Sequence, residues 1–225
     1  MTKITILGSC RQDSLYNKYD ITSIKNGLSY PHYSKEVLQV IKYCINDNLK
    51  PDETMIFRTP ILRNSPYKTN IFLHEIEKSD VIIIEIASKK YYKYNNLYVH
   101  HILYDDNKYN TNYKTKIETG ILTHDEIIQD LHEISILLKN KKVIFVGHLV
   151  TKEVGDRYDL LCLIKSYCKD NNLLFIDPIS ELKLTNDNVN ELINNTDKCF
   201  AHYTEKGHNE ILKIYDKYIK QILYL

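Results

Sequence analysis

Apolar positions recur along the chain in two rhythms. Lys3-Ile4-Thr5-Ile6-Leu7 is a short apolar run that stops at Gly8-Ser9-Cys10, and it predicts a strand. From Tyr33 to Asn46 the apolar residues fall at 37, 38, 40, 41, 44 and 45, a helical stripe with Ser34 as its expected N-cap. Thr54 to Phe57 predicts a second strand, closed by Pro60. Thr69 to Lys78 predicts a short helix with Phe72, Leu73 and Ile76 on one face. Asp80 to Ala87 is a continuous Val/Ile run, the pattern of a strand covered on both faces of a parallel sheet.

The second half repeats the alternation. Thr123-His124-Asp125-Glu126 has the capping-box form, Thr at N-cap and Glu at N3. The helix it opens runs to about Leu138, with Ile127, Ile128, Leu131, Ile134, Ile136 and Leu137 expected inward. Lys142 to Val146 predicts another buried strand, Asp156 to Lys169 a helix, and Leu173 to Ile176 a strand ended by Asp177-Pro178. Glu205 to about Tyr224 predicts a closing helix with Ile211, Leu212, Tyr215, Ile219 and Ile222 as its stripe. Strand and helix alternate, which points to a three-layer α/β domain on a five-stranded parallel sheet.

At roughly 150 residues per domain, 225 residues allow about one and a half domains. No Pro-, Gly- or Ser-rich linker divides the chain, so one domain, 1–225, is the expectation. Residues 91–119 are Tyr/Asn-rich without clear period. They form an expected insertion, either a lid with its own structure or a loop. The net charge of +1 argues against a nucleic-acid binder and fits a neutral or mixed substrate. The opening residues are too short in apolar length for a signal peptide, and no run approaches a membrane span, so a cytoplasmic protein with no membrane partner is expected. The five Cys are scattered, with no C-x-x-C pair, and read as reduced thiols.

Open parallel sheets bind ligands beyond the carboxyl ends of their strands. The first such end is Gly8-Ser9-Cys10-Arg11, a tight turn that can present a hydroxyl and free N–H groups. Ser9 is a candidate nucleophile whose own N–H could help hold an oxyanion. Far along the chain, His202-Tyr203-Thr204-Glu205-Lys206-Gly207-His208 places a histidine just before a capped helix, where it can act as a base. Arg is rare here, four against a Lys+Arg total of 30, so Arg11 and Arg58 after strand ends stand out as anion holders. His32 and His148 lie at matching ends and are candidate pocket residues. His100 and His101 are adjacent, a poor arrangement for sharing a metal on a regular element, so no metal is expected. With six Gly and no phosphate loop or G-x-G-x-x-G, no nucleotide cofactor is expected.

The N-terminal Ser turn, together with a His-Tyr-Thr-x-x-Gly-His segment before the last helix, resembles the SGNH (GDSL-like) hydrolase superfamily. The Gly8-Ser9-Cys10 form is similar to its GSCFA-type branch and to capsule-polysaccharide acetyltransferase-like proteins. The resemblance implies a flavodoxin-like αβα fold and acyl-ester chemistry: a serine esterase or O-acyltransferase acting on a small-molecule or carbohydrate acyl ester, with acetyl the expected group. By this resemblance Ser9 is the nucleophile and His202 the base. The acid that family members carry three residues before that His is replaced by Cys199, so either Asp197, the nearest carboxylate, or a main-chain carbonyl is expected to hold the imidazole. The family's oxyanion Gly and Asn are missing, so Ser88 is the substitute donor expected after the third strand. Those departures also motivate a rival, a non-catalytic glycan- or protein-binding module on the same fold. Two further readings are a Cys10 thiolate paired with His202 and a phosphate or nucleotide binder by fold analogy alone.

Overall fold

A computed structural model describes residues 1–21, 30–46, 58, 75–106, 114–194 and 201–224. In chain order the strands are β1 (Lys3–Leu7), β2 (Asp20–Ile21), β3 (Val81–Glu85), β4 (Lys90–Tyr94), β5 (Leu97–Tyr98), β6 (Ile117–Ile121), β7 (Val143–Val146), β8 (Leu174–Ile176), β9 (Ile193–Asn194) and β10 (His202–Tyr203). The α-helices are α1 (Ser34–Asn46), α2 (Glu75–Lys78), α3 (Ile102–Asp105), α4 (His124–Leu137), α5 (Asp156–Asp170), α6 (Pro178–Thr185) and α7 (Glu205–Tyr224). A 3₁₀ helix, Cys10–Asn17, follows β1 directly.

The main sheet has the order β2-β1-β3-β7-β8 and every pairing in it is parallel. Alternate strand residues feed opposite cores, as the pleat requires. Leu7, Ile82, Ile84 and Phe145 pack with α1, α4 and α5. Ile4, Ile6, Val81, Ile83, Ile144, Val146 and Ile176 pack under α6, α7 and the 3₁₀ helix. This is a three-layer αβα fold, and the unbroken Val/Ile run of β3, fully buried, is its central strand.

The sheet's edge strand is Asp20–Ile21, which carries too few residues to make a pattern. The strand expected at Thr54–Phe57 lies outside the described residues, and of the helix expected from Thr69 only Glu75–Lys78 is described. Thr123 forms the full capping box with Glu126. Ile128 and Ile136 of α4 point outward, 38% and 53% exposed, because α4 buries a narrower stripe than its apolar content suggests. Ser34 opens α1 but spends its hydroxyl on the Asp130 carboxylate, 2.6 Å away, so it ties α1 to α4. Asp177-Pro178 does not merely end β8. Asp177 caps α6 and Pro178 occupies its first turn, a helix absent from the sequence expectation.

The segment between β3 and α4 has its own structure. β5, β4 and β6 form a three-stranded antiparallel sheet carrying α3. It is pinned to the main core by Tyr33, whose buried hydroxyl reaches the carbonyls of Tyr92 and Val99, 2.7 Å each. Tyr91, Tyr94, Tyr98 and Tyr104 pack against the core, so these rings build the segment's body. No helix among the described residues is long and apolar enough to cross a membrane.

Candidate active site

The register brings three strand ends to one edge. Leu7 pairs with Ile84, and Glu85 pairs with Val146. Gly8-Ser9, Glu85 and Gly147-His148 therefore leave the sheet side by side. Gly8 is required by this approach: a Cβ there would stand 2.7 Å from the Glu85 Cβ. Ser9 follows in extended conformation and caps the 3₁₀ helix.

Glu85 is the hub of the site. It is fully buried, and its two carboxylate oxygens have separate tasks. Oε2 accepts the Ser9 backbone N–H at 2.7 Å. Oε1 lies 2.7 Å from Nδ1 of the buried His148. Burial alone would raise the Glu85 pKa. The hydrogen bond and charge of His148, the Arg11 guanidinium and the Ser9 contact outweigh it and hold Glu85 below the usual carboxylate range. His148 is pushed below the ordinary histidine value, first by burial, and Arg11 and Arg157 add to the shift. The pair is thus a carboxylate beside a neutral imidazole that donates from Nδ1. That leaves Nε2, buried and without a partner among the described residues, as the free acceptor.

Arg11 is buried, not a surface ion-pair residue. Its Nη1 lies 3.2 Å from the Ser9 Oγ, and its Nε donates to the Ala201 carbonyl at 3.0 Å. Arg11 therefore links the two end motifs, the Ser9 turn and the segment that carries His202. Its Nη2 is buried without a partner among the described residues. Ser9 Oγ accepts from Arg11 twice, weakly from the backbone N–H at 3.4 Å and from the guanidinium. No acceptor takes the Ser9 hydroxyl proton among the described residues, so it can pass to a base. A fixed guanidinium beside the oxygen favours negative charge there, as an alkoxide or a tetrahedral adduct would need.

Three of the expected groups have partners or surroundings that bear on their roles. The Ser9 N–H is not free for an oxyanion, because the Glu85 carboxylate already takes it. Ser88 lines the cavity: its N–H goes to the His32 carbonyl, and its hydroxyl accepts from Lys90 N at 2.9 Å, which leaves the hydroxyl proton able to donate. The Cys10 thiol is pushed up, chiefly by burial, so the residue is poorly placed to act as a thiolate.

His202 lies on β10 with its side chain exposed, and no hydrogen bond joins it to Ser9 among the described residues. Burial, Arg11 and His208 lower its pKa, so it is a neutral imidazole able to accept a proton. Asp197 and Cys199 lie outside the described residues. Thr204 caps α7 as expected, accepting from Gly207 N at 3.1 Å. Gly207 is structural: a Cβ there would stand 2.0 Å from the Leu192 carbonyl oxygen. Arg58 stacks 4.1 Å over the Tyr30 ring.

A cavity of about 270 Å³ opens beside these strand ends. Arg11, His32, Ser88, His148 and Arg157 line it, together with Lys90, Tyr92, His101 and Asp105 from the β4–α3 segment. Sequence reasoning missed Glu85, Arg157 and this second wall. Glu85 was hidden as the one acid in a Val/Ile strand, a placement that itself signals a buried charge with partners.

Residues 2–107, somewhat under half of the chain, match the family described as the TviD N-terminal domain. No curated protein matches. Among solved structures, the lipase/acylhydrolase from Enterococcus faecalis is similar at 12% identity and a TM-score of 0.50, covering 99% of this chain and 96% of its own. An acetylxylan esterase from Geobacillus stearothermophilus superposes at 12% identity and a TM-score of 0.42, covering 97% and 94%. A G-D-S-L family lipolytic protein from Veillonella parvula does so at 10% identity and 0.45, covering 96% and 99%. The fold is that of the SGNH-type lipase-acylhydrolases.

Proposed function

We propose that this chain is an SGNH-like serine esterase or O-acyltransferase, one domain in which Ser9 attacks the acyl carbonyl of a carbohydrate ester. The observation that carries the reading is the Ser9–Arg11 pair: a hydroxyl whose proton has no acceptor among the described residues, a guanidinium at 3.2 Å, and an adjoining cavity. Arg11 takes the role of the oxyanion donors that the turn lacks, with Nη2 as its unspent donor. The carbohydrate part of the reading rests on the resemblance of Gly8-Ser9-Cys10 to capsule-polysaccharide acetyltransferase-like proteins.

In the proposed cycle Ser9 Oγ bonds to the acyl carbon as its proton passes to a histidine. The same histidine returns that proton to the leaving alcohol, and the C–O ester bond breaks. Water or a sugar hydroxyl then takes the acyl group from Ser9. His202 is the base by motif. His148 is a second candidate, because Glu85 orients it as a triad carboxylate orients its imidazole and leaves Nε2 free. A short p-nitrophenyl ester and a fluorophosphonate probe test the scheme. Ser9→Ala should abolish both turnover and labelling in a folded protein, and full activity in that variant would sink the assignment. Comparing His202→Ala with His148→Ala identifies the base.

A second reading is a non-catalytic glycan- or protein-binding module. It is favoured by the Ser9 N–H being tied to Glu85 and by the lack of a His202–Ser9 hydrogen bond among the described residues. A folded protein that the fluorophosphonate never labels would support it.

A further inference from the structure

Three imidazoles meet beside the cavity, two of them in its lining. His32 comes from the loop before α1, and His100 and His101 come from the turn that opens α3. Each offers a ring nitrogen, and these three atoms lie within 4.8 Å of one another. The ring centroids are 4.6 Å apart for His32 and His101, 5.3 Å for His32 and His100, and 4.4 Å for His100 and His101. Adjacent histidines on a strand would point to opposite faces. Here they sit at a helix start, where both rings reach the same side, so the sequence-based objection to a shared ligand does not hold.

The surroundings match a nitrogen-ligand site. His101 Nδ1 lies 3.0 Å from Asp105 Oδ2, and the Tyr92 hydroxyl donates to the same oxygen at 3.2 Å. A carboxylate on Nδ1 fixes the proton there and leaves Nε2 as the ligand atom, the usual support of a metal-bound histidine. His100 is 2% exposed; its Nε2 has no close hydrogen-bond partner among the described residues, although the Tyr30 backbone acts on the ring and favours its charged form. A buried imidazole nitrogen with nothing to bind is costly, and a ligand in its place removes that cost. Ligation through Nε2 puts the proton on Nδ1, so the long 3.2 Å contact from Ile102 N is given up in exchange. All three rings are held neutral, His32 down to about 3, with burial the first cause in each case. Arg58, Lys90 and Arg11 oppose a cation here, whereas Asp105 and Glu85 favour it.

We propose that His32, His100 and His101 form a divalent transition-metal site, filled by zinc, with its fourth position turned to the cavity that Arg11 and His148 also line. Three imidazoles and an open position suit zinc, and the same set takes cobalt. His32 and His101 line the cavity with Arg11, so a bound ion would present a Lewis acid to a ligand held there.

Binding is read without activity, so its outcome is separate from that of the esterase reading. The purified full chain is stripped with chelator and titrated with zinc by calorimetry and with cobalt by visible absorption. The expected result is a 1:1 complex with the ligand-field bands of four-coordinate cobalt. His101→Ala should abolish it, and Asp105→Asn should weaken zinc about 10- to 100-fold. Both residues are partly exposed, 34% and 45% at their side chains, so these variants keep the fold, as circular dichroism would verify. Absence of binding, or zinc affinity unchanged in folded His101→Ala, overturns the proposal.

Discussion

Glu85→Gln separates the charge of the hub from its shape. Glutamine fills the same buried space but has one acceptor where Glu85 uses two, on Ser9 N–H and on His148 Nδ1. The Ser9 proton belongs to the backbone and cannot move, whereas the His148 proton can. The amide oxygen therefore keeps Ser9, the amide NH₂ donates to Nδ1, and the imidazole proton shifts to Nε2. The buried Nε2 atom changes from acceptor to donor. Two hydrogen bonds to a charged group, worth about 1.5–3 kcal/mol each, become neutral ones worth about 0.5–1.5, so a net loss of about 1–3 kcal/mol is expected. Desolvation works the other way, since burying a carboxylate is itself unfavourable, but the nearby Arg11 offsets much of that term. Glu85→Ala should cost more, about 1–3 kcal/mol for each of the two orphaned donors. Urea denaturation measures the stability, and nitrogen NMR of the imidazole reports the tautomer. A Glu85→Gln protein as stable as wild type, or one that keeps its proton on Nδ1, refutes this account.

Acid should unfold the chain early. The His32 pKa is lowered to about 3 by burial and by His101, so from pH 6.5 downward the unfolded chain takes up a proton that the folded one refuses. Stability should then fall by up to about 1.4 kcal/mol per pH unit for this residue, and unfolding midpoints that stay flat from pH 7 to 5 would contradict a buried neutral cluster. Glu85 adds its loss lower down: its folded pKa is depressed, so its contribution is present above the ordinary carboxylate value of 4.5 and disappears as pH drops further. Gly207→Ala should destabilise by about 1–3 kcal/mol or more, because the new methyl meets a carbonyl oxygen and not a movable side chain; a thermal midpoint within a degree or so of wild type would show the approach to be looser. Thr204→Ala removes the α7 cap and should cost about 0.5–2 kcal/mol in the same assay.

The layers of the fold were legible because the strands that form its centre are buried on both faces. Only an uninterrupted apolar run such as Ile82-Ile83-Ile84 satisfies two cores at once, and few other structures tolerate one. The edge strand Asp20–Ile21 left no such trace, since two residues cannot show a period. Ser9 and the His202 segment were legible as motifs. Their link through Arg11 was not, because it spans 190 positions and depends on which way a long side chain turns. The histidine cluster was hidden for a similar reason. Residues 32 and 100 meet where the Tyr33 hydroxyl, together with Gln39 on Tyr98, holds the β4–β5 segment against α1.

The two candidate bases differ in what holds them. His148 is locked by Glu85, which also clamps the Ser9 main chain, so nucleophile and imidazole share one buried support. His202 sits on a two-residue strand that pairs with β9 alone among the described residues, and the Arg11 charge adds to burial in lowering its pKa. A base must meet the hydroxyl at the moment of proton transfer, and the lower the cost of keeping it there, the faster the step. On that criterion His148 has the better-fixed ring and His202 the better access to solvent for the deacylating water. If they divide the work, His148→Ala should slow acylation, seen as lost fluorophosphonate labelling. His202→Ala should leave labelling intact and accumulate acyl-enzyme, seen as a burst without turnover. Equal loss of labelling in both variants would assign the two histidines to a single step.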